Sequence, residues 1–265
     1  MLLSYLDESG IHGNASSVVI VAGYFGKKGA WRRFEARWEG VLKRFRVPLD
    51  EFHALDAIKR QKFFAPWPED THAQFLTALG QAVGQSLIHP ICYGIYTEDF
   101  FKFSLNQRRF LTGATWDPKA LRFTTTGNPN RPYFVTFVEC LKIVASHTPS
   151  GARAQLFFGV DRPIAGYATA LFRYIKSTSA GLHADRFGAI GFPLASASPR
   201  LQAADLFSYL SYRHMLERKI SRDWSSRPSR LLLELLRNRK SPYDTSYRTD
   251  LLIRKMISVV PNLPE

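Results

Sequence analysis

The chain has 265 residues, of which 45% are hydrophobic and 22% are charged. This composition is ordinary for a globular protein and excludes a disordered chain, while the length allows one large domain or two small ones. Cys92 and Cys140 lie far apart with no CxxC pair, which argues against a disulfide scaffold and a cysteine-based zinc site. No segment reaches the roughly 20 apolar residues of a membrane-spanning helix, and the N-terminus has no basic leader. We therefore expect a cytoplasmic protein without a membrane partner.

The positive charge of the chain is concentrated in two segments. The formal net charge is +14 and the pI is about 10.0; residues 27–46 carry a net +6 and residues 213–255 a net +7. Because neutralising phosphates releases condensed counterions, such segments favour polyanions. We therefore expect nucleic acid, DNA or RNA, as the partner. The alternative from charge alone is a basic surface that contacts an acidic protein.

The pattern of apolar residues predicts strands and helices in alternation. Residues 2–7 and 17–25 are short apolar runs separated by turn residues, which predicts an antiparallel pair of strands. Further along the chain, the same pattern predicts helices at 30–45, 70–86, 98–111, 133–146, 164–177 and 200–219. It predicts strands at 87–96, 154–161 and 187–195. Residues 112–132 are rich in Gly, Thr, Asn and Pro, which predicts a long loop or lid.

This order of elements indicates an α/β protein with a mixed sheet flanked by helices. We expect one domain over residues 1–220. A basic, helical C-terminal extension at 221–265 is predicted to pack on the same domain.

Three aspartates stand out by their position in the predicted elements. Asp7 ends the first strand, Asp161 ends the apolar strand at 154–161, and Asp205 is the only charged residue in 201–210. Each alone also fits a structural role, as a turn or helix cap for the first two and as the partner of a buried arginine for the third. Together they favour a metal site, because carboxylates that converge at strand ends repel one another unless a divalent cation lies between them. Oxygen ligands of this kind suit Mg²⁺ or Mn²⁺, bound as one or two ions.

Three further residues are candidates for the same site. Glu8 adjoins Asp7, but neighbouring strand residues point to opposite faces, so both reach one metal only at a bulge or at the end of the strand. Glu51 and His53 share a face if residues 50–56 are extended. Glu51 would then be a fourth ligand, and His53 a general base or a group that orients water. A solvated loop acid and a surface histidine are the alternative interpretation.

Four short motifs lie in order along the chain: Tyr-Leu-Asp-Glu-Ser-Gly at 5–10, Glu-Phe-His at 51–53, Val-Asp at 160–161 and Leu-Gln-Ala-Ala-Asp-Leu at 201–206. Together they resemble the bacterial and phage family called domain of unknown function 3800, over most of residues 1–215. The resemblance implies a ribonuclease H-like fold, in which carboxylates from the first strand, a later central strand and a C-terminal helix hold divalent metals.

Carried over to this chain, the resemblance implies Asp7, Asp161 and Asp205 as ligands, with Glu51 or His53 in addition. No second acid follows Asp161 directly, which leaves the number of metals at one or two.

These observations predict a metal-dependent nuclease that hydrolyses phosphodiester bonds of DNA or RNA. The basic residues expected to contact the nucleic-acid backbone are Lys27, Lys28, Arg32, Arg33, Arg213, Arg218, Lys219 and Arg222. One alternative is a non-catalytic nucleic-acid-binding protein of the same fold. Another is a phosphohydrolase that acts on a small nucleotide, with residues 112–132 as its lid. Each of these proteins can act as a monomer or as a homodimer.

Overall fold

The computed structural model describes most of the chain up to residue 248. The described residues are 1–11, 16–117, 119–125, 127–159, 162–178, 183–194, 198–223, 226–238 and 245–248, with the backbone alone for 162–163, 178 and 245–248. Within these ranges, no helix combines the length and the apolar character needed to cross a membrane.

The helices present apolar residues to the sheet and charged residues to the solvent. In chain order they are α1 (Lys28–Arg44), α2 (Ala54–Lys59), α3 (Glu69–Gly84), α4 (Thr97–Phe101), α5 (Leu105–Leu111), α6 (Tyr133–His147), α7 (Arg162–Thr178), α8 (Pro199–Ser221) and α9 (Arg230–Leu235), with 3-10 turns at Leu49–Glu51, Lys62–Phe64 and Ala184–Arg186. In α1, Trp31, Phe34 and Trp38 are fully buried, whereas Arg32 and Arg33 between them are exposed. The predicted helices that became α1, α3, α6, α7 and α8 are confirmed.

The strands form a mixed sheet with β1 in its interior. The strands are β1 (Leu2–Ser9), β2 (Val18–Lys27), β3 (His89–Tyr96), β4 (Trp116–Asp117), β5 (Arg122–Phe123), β6 (Ala154–Gly159), β7 (Phe187–Gly191) and β8 (Thr245–Arg248). The main sheet has the order β7-β6-β1-β2-β3-β8, and β4 and β5 form a separate hairpin. The opening strands pair antiparallel as predicted, whereas β6 pairs with β1 in parallel and β7 pairs with β6 in parallel.

Two helical layers cover the two faces of this sheet. Because successive residues of a strand point to opposite faces, Leu2 and Leu6 pack in one core with α6 and α7. Leu3 and Tyr5 pack in the other core with α1, α3 and α8. The alternation assigns Asp7 to the α1/α8 face and Glu8 to the α6/α7 face.

Side chains near the start of α8 fix that helix to the sheet and to α1. The Arg200 guanidinium donates to the Tyr5 hydroxyl and pairs with Glu35 at 2.7 Å. The Trp38 Nε1 group donates to the buried Gln202 Oε1 at 2.9 Å. Buried polar groups need such partners, so these contacts hold the first turns of α8 at one place along β1.

The predicted helix at 98–111 is wrong in its middle, because the chain forms two helices there. Helix α4 ends at Phe101 and α5 begins at Leu105. The Ser104 side chain accepts from the Gln107 backbone N–H, and the Gln107 side chain accepts from the Ser104 backbone N–H. This reciprocal capping box starts a new helix. The predicted loop at 112–132 likewise contains the β4–β5 hairpin.

The C-terminal extension, which was predicted to be helical, contains both a helix and a strand. Helix α9 packs against α3, but Thr245–Arg248 forms β8, which pairs in parallel with β3. The all-helical prediction is wrong there because the edge of β3 offers backbone groups that a further strand can pair. Residues 239–244 and 249–265 lie outside the described residues.

Candidate functional site

Asp7 lies near the carboxyl end of β1, between two strands. Its backbone is opposite Ala22 of β2 and Gly159 of β6, and the residue is 7% exposed. Gly159 is the last residue of β6, so this parallel strand ends beside Asp7, two residues before β1 ends at Ser9. Asp161, two positions further along the sequence, lies outside the described residues.

Two contacts show how α8 runs along β1. Arg200 bonds Tyr5, and further along both elements the hydroxyl oxygens of Ser9 and Ser208 lie 3.1 Å apart. Eight helical residues cover about 12 Å, and four strand residues cover about 13 Å. The helix and the strand therefore run side by side in the same direction.

This alignment brings Asp205 to the level of Asp7. Asp205 lies three residues before Ser208, on the same side of the helix. It is about 7.5 Å beyond Arg200 along the helix axis, whereas Asp7 is about 7 Å beyond Tyr5 along the strand. The α1/α8 face of the sheet thus holds two carboxylates next to the ends of two parallel strands.

The Asp205 carboxylate contacts the start of α2. Its Oδ2 atom accepts the backbone N–H of Ala54 at 2.8 Å. Burial raises the pKa of Asp205, while the charge of His53 and the Ala54 N–H lower it and the charge of Asp56 raises it. Among the described residues, no arginine or lysine pairs with Asp205, which removes the buried-arginine interpretation within that part of the chain.

His53 and Asp56 form a second layer around Asp205. The His53 side chain is 56% exposed, and its Nδ1 atom lies 3.7 Å from the Asp56 Oδ2 atom. Asp56 is buried and pairs with the Lys62 ammonium at 2.8 Å. Asp56 is a further residue of this region, and its position three residues after His53, in a helical turn, is the signal in the sequence that points to it.

Glu51 does not share an extended segment with His53, so that expectation is wrong. Leu49–Glu51 forms a 3-10 turn, and the Glu51 side chain is exposed. Extended backbone begins only at Phe52, whose ring is buried in the α1/α8 core. The structure therefore brings His53 next to Asp205, and the role of Glu51 as a ligand stays a prediction.

Glu8 belongs to the opposite face of the sheet from Asp205. On that face lies Tyr133, at the start of α6, whose pKa is raised by burial and further by the charges of Glu8 and Asp7. The described residues contain no group of three or more His, Cys, Asp or Glu side chains positioned to hold a metal. Because Asp161 is outside this part of the chain, the three-aspartate site stays a prediction.

The basic residues expected to bind nucleic acid fall into two sets. Lys27, Lys28, Arg32 and Arg33 are exposed at the start of α1, and none of them pairs with an acid among the described residues. The second set lies on α8 and at its end, and two of its members are neutralised by acids. Arg213 pairs with Glu217 at 3.0 Å, and Lys219 pairs with Glu98 at 2.8 Å. Arg222 is exposed at the end of α8, and Arg218 is partly buried near His214 and Tyr96.

No family model, curated protein or solved structure matches this chain. The family resemblance therefore rests on the four motifs, and the site rests on the geometry above.

Proposed function

We propose that this protein is a metal-dependent nuclease with a ribonuclease H-like fold, which hydrolyses phosphodiester bonds of DNA or RNA. The observation that carries the proposal is the position of Asp205 level with Asp7, where β6 ends beside β1. An interior first strand, a later parallel strand beside it and a C-terminal helix packed over it are the three elements that the resemblance implies. They support the proposed fold.

The donor set at this position fits a hard divalent cation. Asp7 and Asp205 offer carboxylate oxygens, which Mg²⁺ and Mn²⁺ prefer. Burial disfavours the charged form of Asp205, and a nearby cation reverses this effect. Asp161, proposed from the sequence alone, would complete the ligand set.

A divalent cation held there would activate a water and stabilise the leaving oxygen of a phosphodiester. The residues of the chain supply the other functions. Asp7 and Asp205 hold the cation by their carboxylates, and His53, half exposed beside Asp205, accepts the proton of the attacking water. The exposed cations of α1 hold the phosphate backbone without reading the bases.

The start of α1 lies at the other end of the sheet from the carboxylates. Lys27 is opposite Leu2 in the sheet, five residues before Asp7, which is about 17 Å along the strand. At 3.4 Å per nucleotide of a helical strand, this separation is about five nucleotides. The bound substrate therefore extends at least that far from the scissile bond.

Cleavage of labelled nucleic acids tests the proposal directly. We expect the protein to cut at least one of single-stranded, duplex and branched DNA or RNA in Mg²⁺ or Mn²⁺, and to lose this activity in EDTA. Equal cutting in EDTA would exclude the metal mechanism. Salt-dependent binding without any cutting would identify the non-catalytic binding protein. The absence of both binding and cutting would point to a small phosphorylated substrate.

Neutralising one exposed arginine of α1 should weaken nucleic-acid binding at the backbone. We expect Arg33→Ala to reduce the slope of log K against log salt concentration by about 1, because one phosphate contact is lost. Arg173→Ala removes an exposed arginine from α7, on the other face of the sheet, and should leave the slope unchanged. Anisotropy titrations from 50 to 200 mM salt measure both, and equal slopes for the two variants would contradict the assignment of α1.

A further inference from the structure

A cavity of about 640 Å³ opens at the carboxyl end of β1. Its lining includes Gly10 just after the strand, Phe101 of α4, Arg131 and Tyr133 at the start of α6, and Ile164 of α7. Gly10 is three residues beyond Asp7, about 10 Å along the chain direction. A volume of this size suits a ligand as large as a nucleotide.

The rim of the cavity carries an exposed aromatic ring. Phe101 is 50% exposed. The Arg108 guanidinium carbon lies 5.3 Å from the centre of the Phe101 ring. Arg108 is itself held by hydrogen bonds to the carbonyls of Phe103 at 3.1 Å and Pro129 at 2.9 Å. A ring fixed in this way is a ready stacking surface, since ordering it on binding costs little.

One charged side chain of the cavity lacks an acidic partner among the described residues. The Tyr133 hydroxyl, by contrast, is enclosed by protein and is not reached from the cavity. Arg131 is exposed and pairs with no acid in that part of the chain, whereas Lys219 at the rim is neutralised by Glu98.

We infer that this cavity binds one unpaired nucleotide of a single-stranded polynucleotide, with its base against Phe101 and a phosphate near Arg131. The inference rests on the proposed function and narrows its substrate class. A base inside a duplex is stacked on both faces and paired at its edge, so it cannot enter the cavity. A single strand offers its bases to aromatic side chains without prior unstacking.

The test measures binding in EDTA with the Asp7→Asn protein, so that cleavage plays no part. We expect Phe101→Ala to raise the Kd of a labelled 12-nucleotide single strand by about 5- to 150-fold, the equivalent of 1–3 kcal/mol for one stacked base. The Kd of the 12-base-pair duplex should stay within about twofold. Leu105→Ala is the matched control, because Leu105 is 46% exposed four residues later and does not line the cavity.

An unchanged Kd for the single strand, or an equal loss for strand and duplex, would overturn the inference. Nucleoside monophosphates serve as competitors in the same titration. If they displace the strand at concentrations equal to its Kd, the site takes free nucleotides and the polynucleotide assignment is wrong. None of these outcomes depends on metal-dependent cutting, so the inference and the proposed function fail separately.

Discussion

Asp7→Asn is expected to reduce metal-dependent cleavage by about 1,000-fold or more while nucleic-acid binding stays within about twofold of wild type. The substitution keeps the shape of a side chain that is 7% exposed but removes its negative charge. A catalytic metal contributes several kcal/mol to the transition state, and each 1.36 kcal/mol corresponds to tenfold in rate. Single-turnover cleavage in Mn²⁺, with binding measured in EDTA, provides both numbers.

Glu8→Gln is the matched comparison for this variant. It removes the same charge one residue later, on the opposite face of the sheet from Asp205. We expect it to keep cleavage within about tenfold of wild type. Equal losses in both variants would contradict the assignment of the metal site to the α1/α8 face, and loss of binding in folded Asp7→Asn would show that Asp7 acts in substrate binding.

Asp205→Asn is expected to make the metal-free protein more stable at neutral pH while it abolishes cleavage. Burial raises the pKa of this carboxyl in the folded protein above its ordinary value of 3.8, so the folded state binds the proton more tightly than the unfolded chain does. Stability from this group is therefore full below the unfolded pKa and is lost as pH rises through the folded pKa. Asparagine carries no charge and its oxygen can still accept the Ala54 N–H.

Thermal unfolding in EDTA measures this effect. The midpoint of Asp205→Asn should exceed that of wild type at pH 7.5, by about 2–4 °C for each kcal/mol in a protein of this size. The difference should shrink as the pH falls towards 3.8. Added Mn²⁺ should raise the midpoint of wild type but not of the variant, because only a folded state that binds the ion gains from it.

Asp56→Asn serves as the contrasting variant. Asp56 is buried and pairs with Lys62 at 2.8 Å, so its loss should lower the midpoint with or without Mn²⁺. If Asp205→Asn also lowers the midpoint in EDTA, then Asp205 has a structural role at the start of α2. The metal assignment would then be wrong.

Local pattern was enough to predict most of the elements of this fold. The spacing of Trp31, Phe34 and Trp38 predicts α1, since a helix that covers a sheet must repeat its apolar residues every three or four positions. The antiparallel opening strands follow from two apolar runs and a short connection. The pairing of β8 with β3 could not be predicted, because it joins segments about 150 residues apart.

The candidate site likewise combines local features, which could be predicted, with contacts between distant segments, which could not. The positions of Asp7 at a strand end and Asp205 on an apolar helix are local properties and could be predicted. The bond from Ala54 to Asp205 spans 151 residues, and only tertiary packing creates it. The exposure of Phe101 could not be predicted for a related reason: a short helix with two adjacent aromatic residues does not reveal which ring its neighbours will cover.

The alternation of faces along β1 makes this strand intolerant of insertions and deletions. Asp7 and Glu8 are consecutive, yet one belongs to the layer of α8 and the other to the layer of α6. Inserting or deleting one residue between Tyr5 and Asp7 would shift the register by one and exchange the two acids between the layers. Both carboxylates would remain in the chain and at the end of the strand. We therefore expect such a variant to be inactive although both acids remain in the chain.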